Sequence, residues 1–132
     1  AYTFTVVATN AAGTSPASAK SAAVTPKAPP SVTRVGGETR YDTAVAVSKA
    51  TYPTPGVPVV YLANGGTFTD ALAGAPAAAK LGGPVLLTSA SSLPPVIAAE
   101  LDRLNPARIV ILGGNRVVST TVEQQVRQII AG

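Results

Sequence analysis

The sequence predicts an α/β domain: a Rossmann-like, doubly wound sheet of about four mainly parallel strands with helices on both faces, preceded by a β-hairpin remnant. Three observations predict it. From residue 31 onward four short runs, SVTRV, VPVVYLA, PVLLT and RIVILGG, are almost continuously apolar, as strands covered on both faces are. Each run ends in a turn rich in Gly, Asn or Ser, and each turn leads into a stretch with helical periodicity. Residues 1–25 differ from the rest, alternating with a period of two and carrying no helical pattern.

Tyr2, Phe4, Val6 and Ala8 alternate with Thr3, Thr5, Val7 and Thr9, and the pattern stops at Asn10 and the Gly13-Thr14-Ser15-Pro16 turn. A second strand over residues 18–24 completes the hairpin. Two strands close no sandwich and an isolated hairpin is marginal in water, so this piece carries no complete core. Opening directly on a strand pattern suggests a segment of a longer protein. TPKAPPS follows, with residues 26–31 read as a semi-rigid proline-rich linker, and residues 32–132 form the α/β piece. After SVTRV, the run TRYDTAVAVSKAT places Tyr41, Ala44, Val45 and Val47 on one helical face, with Thr39 and Asp42 at capping-box spacing. In TFTDALAGAPAAAKLG, Gly74 suits a helix end and Pro76 the first turn of a new one, which predicts a break. Pro94 and Pro95 start a helix that buries Ile97, Leu101 and Leu104. The last helix opens on Thr120 and Glu123 as a capping box and buries Val122, Val126, Ile129 and Ile130.

With 132 residues and 46% hydrophobic content the chain can bury a core, yet its apolar runs fall far short of the ~20 residues a membrane span needs. Cysteine and histidine are both absent, which removes disulfides, thiol nucleophiles, zinc ligands of either type and the usual proton-transfer side chain. Residues 1–30 carry only Lys20 and Lys27, which leaves +2 of the +4 net charge for the rest, without a basic stripe. That distribution argues against a nucleic-acid partner. No G-x-G-x-x-G follows a strand and no G-x-x-x-x-G-K-[ST] occurs, so a nucleotide cofactor is not expected.

In a parallel sheet the turns after the strands share one edge. Here that rim comprises Gly36-Gly37, Asn64-Gly65-Gly66, residues 89–92 and Gly113-Gly114-Asn115. Glycines let a ligand approach the backbone, and helix N-termini favour anions or sugar oxygens; tight turns also use glycine for positive φ with no ligand at all. The charged residues near the rim are Arg34, Glu38, Arg40, Asp42, Asp70 and Arg116. Asp42 reads as a cap. Asp70 falls in a first helical turn, where the macrodipole favours a carboxylate with or without a function. Arg34 and Arg40 flank the first glycine turn, as solvated charges, as partners of Asp70, or as a clamp for carboxylate or phosphate.

The segment YTFTVVATNAAGTSPASAKSAAVTP resembles the last two strands of a fibronectin type III domain. The blocks RVGGETRYDTAVAVSK, LANGGTFTDALAGAPAAAKLGGPVLLT, SLPPVIAAELDRL and RIVILGGNRVVSTTVEQQV, in that order, resemble a type 2 cell-wall-binding repeat. That resemblance implies a noncovalent anchor of a surface or secreted protein on Gram-positive walls, extracellular and without enzymatic activity or cofactor. The implied partner is an anionic wall polymer, a teichoic acid or secondary wall polysaccharide. Arg40, Tyr41, Asp70, Ala71 and Leu72 match the family's Arg-Tyr and Asp-Ala-Leu blocks, whereas Thr39 stands where many members carry an acidic residue. The candidate polymer-binding set is Arg34, Arg40, Asn64, Gly65, Gly66, Asp70, Gly113, Gly114 and Arg116. Such repeats usually occur in threes, so two further repeats or a homotrimer are expected. Two other readings of the rim stay open: a small-molecule enzyme relying on Asp70 or Glu38, and a structural spacer.

Overall fold

A computed structural model describes residues 1–131. The chain divides into two compact units, Ala1–Thr33 and a larger one beginning at Arg34.

The first unit is a hairpin whose two sides advance at different rates. β1 (Thr9–Asn10) and β2 (Gly13–Thr14) pair antiparallel around the turn, and Tyr2 bridges Val24 at the far end. Between them Ala8, Val6 and Phe4 pair with Ser15, Ser18 and Ser21, so one side moves two residues per step and the other three. Each serine N–H donates to the opposite carbonyl at 2.8–2.9 Å, while its Oγ accepts the opposite N–H at 3.0–3.1 Å. The serine hydroxyl thus replaces a main-chain acceptor at every third residue. This spacing explains why residues 18–24, expected as a regular strand, make a bulged one: the extra residue per step breaks the pleat while the serines keep the opposing N–H groups satisfied.

In the larger unit α1 (Arg40–Thr51), β3 (Val60–Asn64), α2 (Phe68–Leu81), β4 (Val85–Thr88), α3 (Pro95–Leu104), β5 (Ile109–Ile111) and α4 (Thr120–Ala131) alternate. The sheet has the order β4-β3-β5 and is wholly parallel, with Leu62 opposite both Leu86 and Ile111. β3 is central and buried along its full length, which accounts for its unbroken apolar run. Alternation along the strands sends Val60, Leu62 and Leu86 to one face, where Val45 of α1, Ile97, Leu101 and Leu104 of α3, and Val122 and Val126 of α4 close the main core. Tyr61, Val85, Val110 and Leu112 gather on the other face with Ala77 and Ala78 of α2. Full burial of a Leu or Ile side chain contributes ~1.5–3 kcal/mol, so the five large aliphatics buried in the main core, Leu62, Leu86, Ile97, Leu101 and Leu104, dominate the unit's stability.

Four expectations are corrected. SVTRV forms no strand, and the sheet has three strands rather than four. α2 runs unbroken through Pro76, because Pro76 and the residue whose carbonyl it releases, Leu72, are both exposed, and water can satisfy that carbonyl. Gly74 ends nothing; it is buried within α2, where a Cβ would collide with the Leu112 side chain. On α1 the inward residue beside Val45 is Ser48, whereas Val47 is 49% exposed. α4 is capped by Ser119, whose Oγ accepts from the Val122 N–H at 3.4 Å, one residue earlier than the expected Thr120, and Ile130, expected inside, is exposed. The α1 capping box of Thr39 and Asp42 is present as expected, and its hydrogen bonds, chiefly the one from the Thr39 side chain, hold the Asp42 carboxyl below its ordinary range.

Candidate rim site

The C-terminal ends of β3 and β5 bring most of the candidate residues together. β3 ends on Asn64, which is nine-tenths buried and ties two turns to each other. Its Oδ1 accepts from the Gly66 N–H at 2.7 Å, and its Nδ2 donates to the Val117 carbonyl at 2.8 Å in the turn after β5. The Gly65 N–H is taken by the Thr88 carbonyl at 2.8 Å, which locks this turn to the end of β4. Both glycine amides are therefore consumed by the protein itself. They shape the turn and do not face outward as free donors.

Arg40, the first residue of α1, lies across that turn. Its guanidinium donates to the Gly65 carbonyl, and a Cβ on Gly65 would stand 3.1 Å from the Arg40 stem and 3.2 Å from the Tyr41 ring. Absence of a side chain at Gly65 is thus what seats the Arg-Tyr pair on the turn. The remaining guanidinium N–H groups stay at an exposed position. Asp70, in the first turn of α2, sets its carboxylate against the turn after β5: a Cβ on Gly113 would come within 2.9 Å of Oδ2. Gly113 also has φ of +97°, a conformation costly for any residue with a side chain. Gly114 anchors the remainder of that turn by accepting from the Val117 and Val118 N–H groups at 2.8 and 3.1 Å.

Arg40, Asn64, Gly65, Gly66, Asp70, Gly113 and Gly114 accordingly form one continuous rim. Arg34 and Arg116 are exposed and make no hydrogen bond or ion pair among the described residues. Arg40 pairs with the Gly65 carbonyl and not with Asp70, so the Arg40–Asp70 ion pair considered from the sequence is absent. The Val117 carbonyl, which fixes Asn64, carries no residue-specific signal and was not legible in the sequence. No cluster of three or more acidic side chains suited to a metal occurs among the described residues.

Away from the rim, one charged pair is buried. The Glu100 carboxylate is 1% exposed and receives Arg103 Nε and Nη2 at 2.8 and 2.7 Å, while Arg103 also donates to the carbonyls of Tyr52 and Pro53 at the end of α1. Burial pushes the Glu100 carboxyl up, but the Arg103 bonds and charge, together with Ser48 and the Lys49 charge, outweigh it and leave the group below its ordinary value. The buried Ser48 hydroxyl sits beside the same carboxylate, without a hydrogen bond of normal geometry. This cluster clamps α1 to α3.

The rim thus combines polar turns, an arginine seated on one of them and a carboxylate set against another. The chain belongs to the cell wall binding domain 2 (CWB2) family, which matches residues 34–123. It is 33% identical over 99 residues to the N-acetylmuramoyl-L-alanine amidase LytC of Bacillus subtilis, covering 75% of this chain and 20% of that one. With the amidase enhancer of B. subtilis it shares 36% identity over 94 residues, covering 71% of this chain and 13% of the relative. Among solved structures it is similar to Cwp6 from Clostridium difficile, with a TM-score of 0.69 at 26% identity, over 97% of this chain and 19% of that one. The chain thus spans a fifth or less of the length of each of these proteins.

Proposed function

We propose that this module holds its parent protein noncovalently on the bacterial wall, outside the cell, by binding an anionic wall polymer along the rim. The observation that carries the reading is the placement of Arg40: a guanidinium seated on a glycine turn, with N–H groups left over at an exposed position, presents fixed cationic donors to a carboxylate or phosphate. Arg34 and Arg116, free of ion pairs among the described residues, supply further positive charge, Asn64 fixes the rim's geometry, and the Asp70 carboxylate offers contacts to sugar hydroxyls. LytC is named as an amidase and the other relative as an amidase enhancer, two different activities. The region shared with this chain is a small part of each, which supports a common binding role without catalysis or cofactor. Among the described residues no helix is long and apolar enough to cross a membrane.

Further modules of the same kind, or a homotrimer, complete the anchor on this reading. α2 supports it: Phe68 and Leu72 are 74% and 64% exposed, and Ala73, Ala75, Pro76 and Ala79 are exposed beside them. An outward helix face this apolar and this rich in small residues suits close packing against a neighbour. The hairpin of residues 1–25 reads as the last two strands of a fibronectin type III domain, with Tyr2, Phe4 and Val6 as the residues that such a sandwich would cover. The test is sedimentation with purified walls before and after chemical removal of secondary polymers. Salt-sensitive binding that disappears on stripping is expected; equal binding to bare peptidoglycan would refute the polymer assignment.

A further inference from the structure

The two outer strands of the sheet are covered unequally. β4 is flanked by α1 and α2, whereas β5 makes its extended contacts with β3 alone. On β5 the Arg108 carbonyl accepts from the Val60 N–H at 2.9 Å and the Leu112 N–H donates to the Leu62 carbonyl at 2.8 Å. Alternation therefore aims the N–H and C=O groups of Ile109 and Ile111 away from β3, where they find no backbone partner among the described residues. Beside this open edge lies a groove of about 330 Å³, walled by Ile109, Ile111, Val126 and Ile130, with Glu123 and Arg127 at its lip. Ile130 is left 55% exposed in it.

The same sequence holds a strand without a sheet. SVTRV reads as a strand yet pairs with nothing; Val32 is fully exposed, Val35 is 45% exposed, and Arg34 has no ion pair among the described residues. Its own chain does not offer it β5. α1 and α3 share one face of the sheet, and the connection through α3 runs from β4 across β3 to β5. A right-handed connection through α1 into β3 must run in the same sense, which places a strand preceding α1 on the β4 side. A second copy meets no such restriction.

We propose that residues 32–35 of a second copy add to β5 as a parallel fourth strand. Laid parallel, the added strand starts where β5 starts, so Val32 meets Ile109 and Ile130, and it ends at the rim. Arg34, two residues on and on the same face, then comes to Glu123 in the first turn of α4, a carboxylate 41% exposed whose partner Arg127 is itself 71% exposed. Each copy donates one segment and accepts another, so the contact is head-to-tail, closing as a ring or continuing as an open array. It uses the β5 edge and not the α2 face, and it takes up Arg34 while leaving Arg40 and Arg116 to the polymer.

The experiment is sedimentation velocity on the whole chain over a range of concentrations, with two variants. Ile111→Pro removes the outward donor while sparing the ladder to β3, as proline on an edge strand does; Ile109→Lys serves the same purpose should Ile111→Pro fail to fold. Val32→Asp with Val35→Asp spoils the donated segment, setting one carboxylate against the apolar Ile109 and Ile130 and a second on the opposite face of the added strand. We expect the wild-type chain to associate with concentration and each variant alone to associate at least tenfold more weakly. An equimolar mixture of the two should give a 1:1 dimer and stop there, since one intact donor and one intact acceptor remain. A wild-type chain that stays monomeric at millimolar concentration, or association that persists in both acceptor variants, overturns the proposal.

Discussion

Replacing Arg103 by Ala should cost the larger unit more than any other single charge removal, and the cost should depend on pH in a defined direction. Glu100 is 1% exposed, and both of its charge-assisted bonds come from Arg103. Removing one partner of a buried pair leaves an uncompensated charge, at ~3–5 kcal/mol in fully enclosed sites. The Arg103 side chain is 28% exposed, so water can follow it out and the lower part of that range applies. We expect about 3–4 kcal/mol at pH 7, a large share of the ~5–15 kcal/mol that holds a domain of this size together. In the wild-type protein the Glu100 carboxyl lies below its ordinary value, so its contribution is complete above the unfolded value near ~4.3 and is lost as pH falls through the lowered folded one. In the variant burial, the largest influence on this carboxyl, is opposed only by Ser48 and the Lys49 charge, and it pushes the same carboxyl up. Its ionised form then destabilises at neutral pH, and protonation relieves the strain as the solution becomes acidic. Urea melts followed by far-UV circular dichroism at pH 7, 6, 5 and 4 should show the gap between the two proteins narrowing toward pH 4. A gap below about 1 kcal/mol at pH 7, or one that stays constant with pH, would refute the assignment of Glu100 as a buried ion held by Arg103.

Gly83→Ala should destabilise by about 1–3 kcal/mol or more, since its Cβ would run into the Val59 carbonyl, a backbone group that cannot swing aside; an unchanged melt would show that this approach relaxes freely. Arg40→Ala should weaken wall sedimentation markedly while lowering stability by no more than ~1 kcal/mol, because the arginine is exposed and gives up one bond to the Gly65 carbonyl. Normal binding by a strongly destabilised variant would instead make that bond its purpose. A protein with three such modules in tandem should hold walls ~10²–10⁴-fold more tightly than one module, since linked sites convert later contacts into intramolecular ones. Equal affinity for one and three, with the single module monomeric, would remove the valency argument.

How far the sequence could be read depended on whether a residue's partners were near it in the pattern. β3, β4 and β5 were legible because a strand covered on both faces needs apolar residues at every position, as VYLAN and its neighbours show. SVTRV has the same propensity, but pairing requires an open edge in the right place, and propensity contains no information about edges. Pro76 was misread because the cost of an interior proline depends on whether water reaches the released carbonyl. Ser48 was passed over in favour of Val47 because a small hydroxyl beside a buried ion pair follows a rule that hydrophobic periodicity does not contain. At the rim, glycine, asparagine and arginine drew attention by residue type, whereas the Val117 and Thr88 carbonyls that hold them are anonymous in any sequence.

The glycine turn after β3 thus has a different use from the one its composition first suggests. A turn of Asn-Gly-Gly before a helix invites comparison with loops that wrap an anion in free amides, yet the Gly65 and Gly66 N–H groups are spent on Thr88 and Asn64. What the missing side chain at Gly65 provides is room, at 3.1 and 3.2 Å, for the stem of Arg40 and the ring of Tyr41. The backbone fixes the arginine, and the arginine faces the solvent. On the proposed reading, recognition built this way would rely on a few long-range, salt-sensitive charge contacts on a shallow surface and not on a desolvated pocket, so one module would gain little affinity from each polymer repeat. A repeating ligand turns that weakness into a graded grip. Each added module would contribute another modest contact at high effective concentration, and a protein so held could exchange those contacts one at a time.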